Sequence, residues 1–180
     1  HQLGFSVLMV DYRGYGESTP RVPSESQLYA DAEAVWRYAV ETLEYVPEHI
    51  WIYGESMGGA IALDLAIRHP EAQGLILQST FTRMVDAIQA KLLYRLLPVD
   101  QLLTQRFDSI HKVHRLDVPV LFLHGGQDTI VPVEHSHRLY GAAPQPKQQF
   151  IVPGGDHVRL YEPGENSYLG AITRFVGEVR

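Results

Sequence analysis

Three residues of this chain, Ser56, Asp128 and His157, have the types and the order that nucleophilic acyl chemistry needs. Ser56 stands in Gly54-Glu55-Ser56-Met57-Gly58, a G-x-S-x-G motif. The apolar run Ile50-Trp51-Ile52-Tyr53 precedes it and a helical pattern follows. A serine on such a sharp, strained strand-to-helix turn projects its hydroxyl from the strand end. Glycines at both flanks, Gly54 and Gly58, are expected to let neighbouring backbone pack close, with Gly59 and Ala60 keeping the helix start small. The backbone N–H of Met57, at the helix N-terminus, would then point at a developing oxyanion.

A serine is a poor nucleophile until a base takes its proton, and a third group must orient that base. On this kind of turn the chain order is serine, then a carboxylate, then histidine. Asp128 lies in His124-Gly125-Gly126-Gln127-Asp128-Thr129-Ile130-Val131-Pro132, fed directly by the apolar run 120–123. It therefore sits beyond a strand's C-terminal end, where sites collect in open α/β sheets. An ordinary turn aspartate bonding its own backbone is the alternative. Asp100, Asp108 and Asp117 sit in or near helical stretches, and none follows a strand so directly. His157 ends Pro153-Gly154-Gly155-Asp156-His157, just past the run 149–152 and on the same rim. Of nine histidines, His1, His49 and His69 fall on the opposite rim or at helix ends, and His111 and His114 lie in a helical stretch. His135 and His137 form an H-x-H pair that does not share one helix face, so no metal site is expected from them. His124 is the rival base, but it precedes the aspartate and reads as a structural residue at a strand end.

The elements that must position these groups alternate. Short apolar runs at 5–10, 50–53, 75–78, 120–124 and 149–152 read as strands buried on both faces of a parallel sheet. Helical patterns fill 24–44, with Ser24 as a cap and Leu28, Ala32, Val35, Ala39 and Leu43 as its stripe, then 56–68, 132–140 and 165–179. The expectation is one α/β domain, a mostly parallel sheet flanked by helices. Residues 81–118 break the rhythm and are expected to form a small helical lid, with Met84, Ile88, Leu92 and Leu96 at helical spacing, either lining a pocket or packing as simple core. The net charge of −6 argues against nucleic acid as a partner. The absence of cysteine rules out disulfides and thiolate chemistry, and it fits a reducing, cytoplasmic setting. A membrane anchor upstream of residue 1 stays open.

Together, Val10-Asp11-Tyr12-Arg13-Gly14-Tyr15-Gly16-Glu17-Ser18, the Ser56 motif, Ser79-Thr80-Phe81-Thr82, the Asp128 loop and Gly154-Gly155-Asp156-His157 resemble the α/β-hydrolase superfamily. More narrowly the chain resembles the Bem46/ABHD13-like serine hydrolases. The resemblance implies an α/β-hydrolase fold, the same three catalytic residues and Met57 as one oxyanion donor, with no metal or cofactor. It implies a small-molecule or acylated substrate, and a carboxylic-ester hydrolase working through an acyl-serine. Amide or peptide cleavage, thioester cleavage and a non-catalytic binding protein are the alternatives.

The resemblance also exposes a departure. Relatives of this kind carry a strand ending in a His-Gly loop that supplies a second oxyanion donor, and this chain lacks it. That strand would lie between the strands expected at 5–10 and 50–53, which would otherwise stand about 9–10 Å apart. The chain is therefore expected to be an N-terminally truncated piece, poorly stable and weakly active alone, unless 5–10 closes up and pairs directly with 50–53.

Overall fold

A computed structural model describes residues 2–90 and 103–179. Its centre is a four-stranded sheet of β1 (Trp51–Glu55), β2 (Gly74–Gln78), β3 (Val120–Gly125) and β4 (Lys147–Val152), in that spatial order and parallel throughout. The helices are α1 (Glu25–Arg37), α2 (Met57–Arg68), α3 (Met84–Gln89), α4 (Glu134–Ala142) and α5 (Tyr161–Glu178).

Strand register sorts side chains between two cores. In β2, Leu75 and Leu77 join the core under α1, α2 and α4, while Ile76 joins the core under α5. In β3, Val120 and Phe122 face the first core and Leu121 and Leu123 the second. This period of two is the pleat itself, and burial on both faces explains why these runs read as continuously apolar. The outer strands differ from that expectation. β1 alternates between buried and open positions, and most of β4, including Gln148 and Gln149, is only half-buried.

Residues 5–10 are a correction. They form no strand, and β1 pairs with β2 alone among the described residues, so the direct ladder between 5–10 and β1 is absent. Apolar composition favours a strand only where a hydrogen-bonded neighbour exists. Here Val7 is 61% and Met9 85% exposed. The following loop is instead held by Arg13, whose guanidinium and backbone N–H both bond the Asp31 carboxylate on α1.

Helix ends obey local chemistry. Ser24 caps α1 in a reciprocal box with Gln27. Leu28, Ala32, Trp36 and Ala39 are buried, but the chain then takes one wide turn over Tyr38–Thr42, where the Leu43 N–H bonds the Tyr38 carbonyl. That extra residue turns Leu43 outward, against the expected stripe. α4 starts two residues after Pro132 and runs through Gly141, stopping where Ala143 turns extended ahead of Pro144. α5 begins at Tyr161, four residues earlier than expected. Of residues 81–118, Phe81, Val85, Phe107, Val113, Leu116 and Val118 are core, and Met84 packs against it. Leu92, Leu96 and Asp100 lie outside the described residues. No helix among the described residues is long and apolar enough to cross a membrane.

Because Leu77 is enclosed by the first core, Leu77→Ala should destabilise the fold by about 2–5 kcal/mol. Val22→Ala, at a position 92% exposed, should stay within about 0.5 kcal/mol. Equilibrium urea denaturation of the two variants checks the pair.

Candidate active site

Ser56 closes β1 and opens α2 with a backbone at φ 51° and ψ −119°, a region that side chains rarely adopt. Three contacts hold it there. The Ser56 N–H donates to the Gln78 carbonyl at 2.9 Å, extending the β1–β2 ladder by one rung. The Thr80 hydroxyl donates to the Ser56 carbonyl at 2.8 Å. The third contact is steric and corrects the expectation for the motif's glycines. A Cβ on Gly54 would sit 2.3 Å from the Gly58 carbonyl oxygen, so Gly54 permits the close approach as expected. A Cβ on Gly58 would meet nothing within 4 Å among the described residues, whereas a Cβ on Gly59 would lie 2.5 Å from Thr80. Gly59, rather than Gly58, is the second crowded glycine, and Thr80 is the residue it must clear. Thr80 stands in the sequence only within the Ser79-Thr80-Phe81-Thr82 segment, to which no role at the turn was assigned.

Asp128 lies three residues past β3 with its side chain fully enclosed. Its Oδ1 accepts the N–H groups of Ile130 and Val131, each at 2.8 Å. Its Oδ2 lies 2.7 Å from His157 Nδ1 and 3.3 Å from His124 Nε2. Burial alone would push this carboxyl up. Hydrogen bonds from His124, His157 and the backbone of Val131 and Ile130 outweigh burial and hold it well below the usual carboxylate range.

His157 follows β4, and its Nε2 lies 3.0 Å from Ser56 Oγ. An ionised Asp128 can only accept, so Nδ1 carries the proton and the neutral ring presents its Nε2 lone pair to the Ser56 hydroxyl. The Asp128 hydrogen bond lifts the His157 imidazole above its ordinary value. Burial opposes the rise, and the charges of Asp128, Glu55 and Asp156 add to it. The structure thus joins Ser56, His157 and Asp128 in one hydrogen-bonded chain, an arrangement able to move a proton off a hydroxyl. Met57, as the first residue of α2, stands at the N-terminal end where backbone N–H groups lack helical partners.

Four other histidines are engaged elsewhere. His69 bonds Glu33 and Glu71, and His111 bonds Asp108. His135 is buried and accepts from the Thr82 N–H, while His137 turns away to Gln149. A cavity of about 460 Å³ beside His135 is lined by Asp86, Gln89, Ala90 and Arg138 and includes none of the three site residues. Among the described residues no group of three or more histidines or carboxylates could hold a metal ion.

Comparison with known proteins agrees with this frame. The family described as "Serine aminopeptidase, S33" matches residues 1–111 and 85–164. An uncharacterized protein of Mycobacterium tuberculosis is 40% identical over 178 residues, covering 99% of this chain and 62% of that protein. The human alpha/beta hydrolase domain-containing protein 17B is 32% identical over 187 residues, covering 98% of this chain and 58% of its own length. The chain therefore spans about three fifths of the curated relatives it matches. Among solved structures, an esterase from Pyrococcus furiosus superposes with a TM-score of 0.78 at 18% identity, over 98% of this chain and 72% of that one. A monoacylglycerol lipase from Paleococcus ferrophilus gives 0.71 at 20% identity, over 99% and 86%.

The two adjacent glycines provide a direct check on how the Ser56 turn is held. Gly59→Ala should destabilise the protein by about 1–3 kcal/mol through overpacking against Thr80. Gly58→Ala should be neutral or slightly stabilising, since alanine is the better helix former. Thermal denaturation midpoints of the two variants, compared with the parent, decide it.

Proposed function

Because the chain belongs to the α/β-hydrolase superfamily, in the family described as serine aminopeptidase S33, we propose that it is a serine hydrolase cleaving carboxylic esters through an acyl-serine intermediate. The observation that carries this reading is the His157 ring, 3.0 Å from Ser56 Oγ on one side and 2.7 Å from Asp128 Oδ2 on the other.

In this mechanism His157 Nε2 takes the proton as Ser56 Oγ attacks the substrate carbonyl carbon. The buried Asp128 anion stabilises the imidazolium and fixes its tautomer. The Met57 N–H donates to the oxyanion of the tetrahedral intermediate. The imidazolium then protonates the departing alkoxide, leaving an acyl-serine. Water enters, gives a proton to His157 and releases the carboxylic acid, and Ser56 recovers its proton. No cofactor takes part. Glu25 of α1 accepts the N–H groups of Arg106 and Phe107, within the lid candidate at 81–118. The family description favours a second reading, cleavage of an amide or peptide bond by the same steps with an amine leaving group.

A fluorophosphonate probe tests the enzyme reading first. The parent chain should be labelled at Ser56 and Ser56→Ala should not, with both circular dichroism spectra alike; full labelling of the alanine variant sinks the assignment. p-Nitrophenyl esters, aminoacyl p-nitroanilides and acyl thioesters then separate the substrate classes, and turnover of the anilides alone would replace the ester reading with the second one.

The pH dependence follows from His157. As a base it works only unprotonated, and its value is raised in the fold. Labelling should therefore fall away as pH drops through a midpoint above the ordinary histidine value of about 6.5. Asp128→Asn should slow labelling by about 10³–10⁴-fold at pH 8, as loss of the orienting carboxylate does in serine proteases. Stopped-time labelling across pH 5–9 measures both.

A further inference from the structure

Asp128 accepts three N–H hydrogen bonds, from Ile130 and Val131 on Oδ1 and from His157 on Oδ2. A further neighbour of Oδ2 is His124, a β3 residue with no exposed surface. Its Nε2 stands 2.8 Å from the Val131 carbonyl oxygen and 3.3 Å from Asp128 Oδ2. Both are pure acceptors when Asp128 is ionised. Its Nδ1 is buried with no hydrogen-bond partner among the described residues. A proton on Nδ1 would be an orphaned buried donor, while Nε2 would turn a lone pair on two oxygens. The Nε2–H tautomer satisfies both oxygens at once, and buried orphan donors are the rarer defect. The contact also closes a ring, because Val131 gives its N–H to Asp128 Oδ1 and accepts His124 through its carbonyl.

We propose that His124 is a positioning residue for the hydrolytic site: its Nε2–H pins the Asp128 carboxylate and the 128–131 turn in the orientation from which Oδ2 aligns His157. This rests on the assignment of Ser56, His157 and Asp128 given above. Two effects follow. The carboxylate cannot rotate away from His157, and part of the Oδ2 charge is spent on His124 instead of His157. The charged groups acting on His157 are Asp128, Glu55 and Asp156. His135 is the neighbouring titratable group that feels His124. Removing the His124 donor leaves Oδ2 more basic toward His157 and less firmly aimed. The base then titrates at higher pH while the reaction slows.

The test measures fluorophosphonate labelling rate against pH for the parent chain, His124→Phe and His124→Gln. Glutamine carries an amide N–H as many bonds from Cβ as the ring Nε2–H. The phenylalanine variant should be slower by about tenfold, the lower end of the effect of losing such supporting hydrogen bonds, with its acid midpoint moved to higher pH. Glutamine should restore the midpoint and most of the rate. Equal rates and midpoints in all three proteins, or equal slowing in both variants with the midpoint unmoved, would overturn the role. Nitrogen-15 NMR of the parent's histidine rings needs no variant to fold: the inference requires the Nε2–H tautomer at His124 at pH 8 and fails if Nδ1 carries the proton. Absence of labelling in the parent would instead defeat the hydrolase reading, and this inference with it.

Discussion

Ser56 is held in a backbone conformation that costs a non-glycine residue about 1–3 kcal/mol, and the surroundings that enforce it organise the whole rim of the sheet. Each parallel ladder continues one rung past its strand. The Ser56 N–H bonds Gln78 on β2, the Ser79 N–H bonds Leu123 on β3, and the Gly126 N–H bonds Val152 on β4. Ser79 also lies at positive φ, 48°, so two consecutive strand ends make the same sharp exit. Thr80, immediately beyond, turns its hydroxyl back to the Ser56 carbonyl. The first turn of α2 closes the clamp by packing Gly59 against Thr80. The strain on Ser56 is therefore carried jointly by the ladder, by Thr80 and by the crowded glycines of the turn, Gly54 and Gly59.

The same rim sets the electrostatics. Asp128 is fully enclosed, a place where an unpaired carboxylate would take up a proton. Hydrogen bonds at both oxygens keep it anionic, and the resulting negative charge lifts the His157 imidazole. The ring is then more basic than an ordinary histidine while its lone pair faces a hydroxyl. Burial without those donors would have produced a neutral acid and an indifferent ring.

The signals that marked Ser56, Asp128 and His157 in the sequence are local ones: an apolar run, then glycines, then a residue able to do chemistry. Parallel α/β architecture puts such residues on one rim, so order along the chain was enough to group them. What sequence could not reveal depends on partners. Residues 5–10 carry the composition of a strand, but pairing is a property of two segments, and β1 pairs with β2 alone among the described residues. Gly58 belongs to the recognisable motif, yet the crowding falls on Gly59, because Thr80 arrives from another strand. The wide turn at Tyr38–Thr42 has no composition of its own. His124 was rightly read as a strand-end residue, but its hydrogen bond to the Val131 carbonyl and its approach to Asp128 appear only once the 128–131 turn folds back over it.

One geometric demand remains. β1 and β4 are three strand spacings apart, about 14 Å, yet Ser56 and His157, which follow them, stand 3.0 Å apart. The loop after β4 must therefore lean back across the end of β3. It does so over Gly125, where an added Cβ would lie 2.4 Å from the Gly155 carbonyl oxygen and 2.5 Å from that of Asp156. The Gln127 N–H fixes the crossing by bonding the Gly155 carbonyl at 2.9 Å. The Asp156 side chain turns the chain beyond it by accepting the N–H groups of Val158 and Arg159. The loop that carries Asp128 is thus the surface on which the His157 loop rests. That shared support explains why acid and base stay in register although neither belongs to a regular element. β3, the strand beneath both, is buried along its whole length from Val120 to Gly125, as its neighbour β2 is from Gly74 to Gln78.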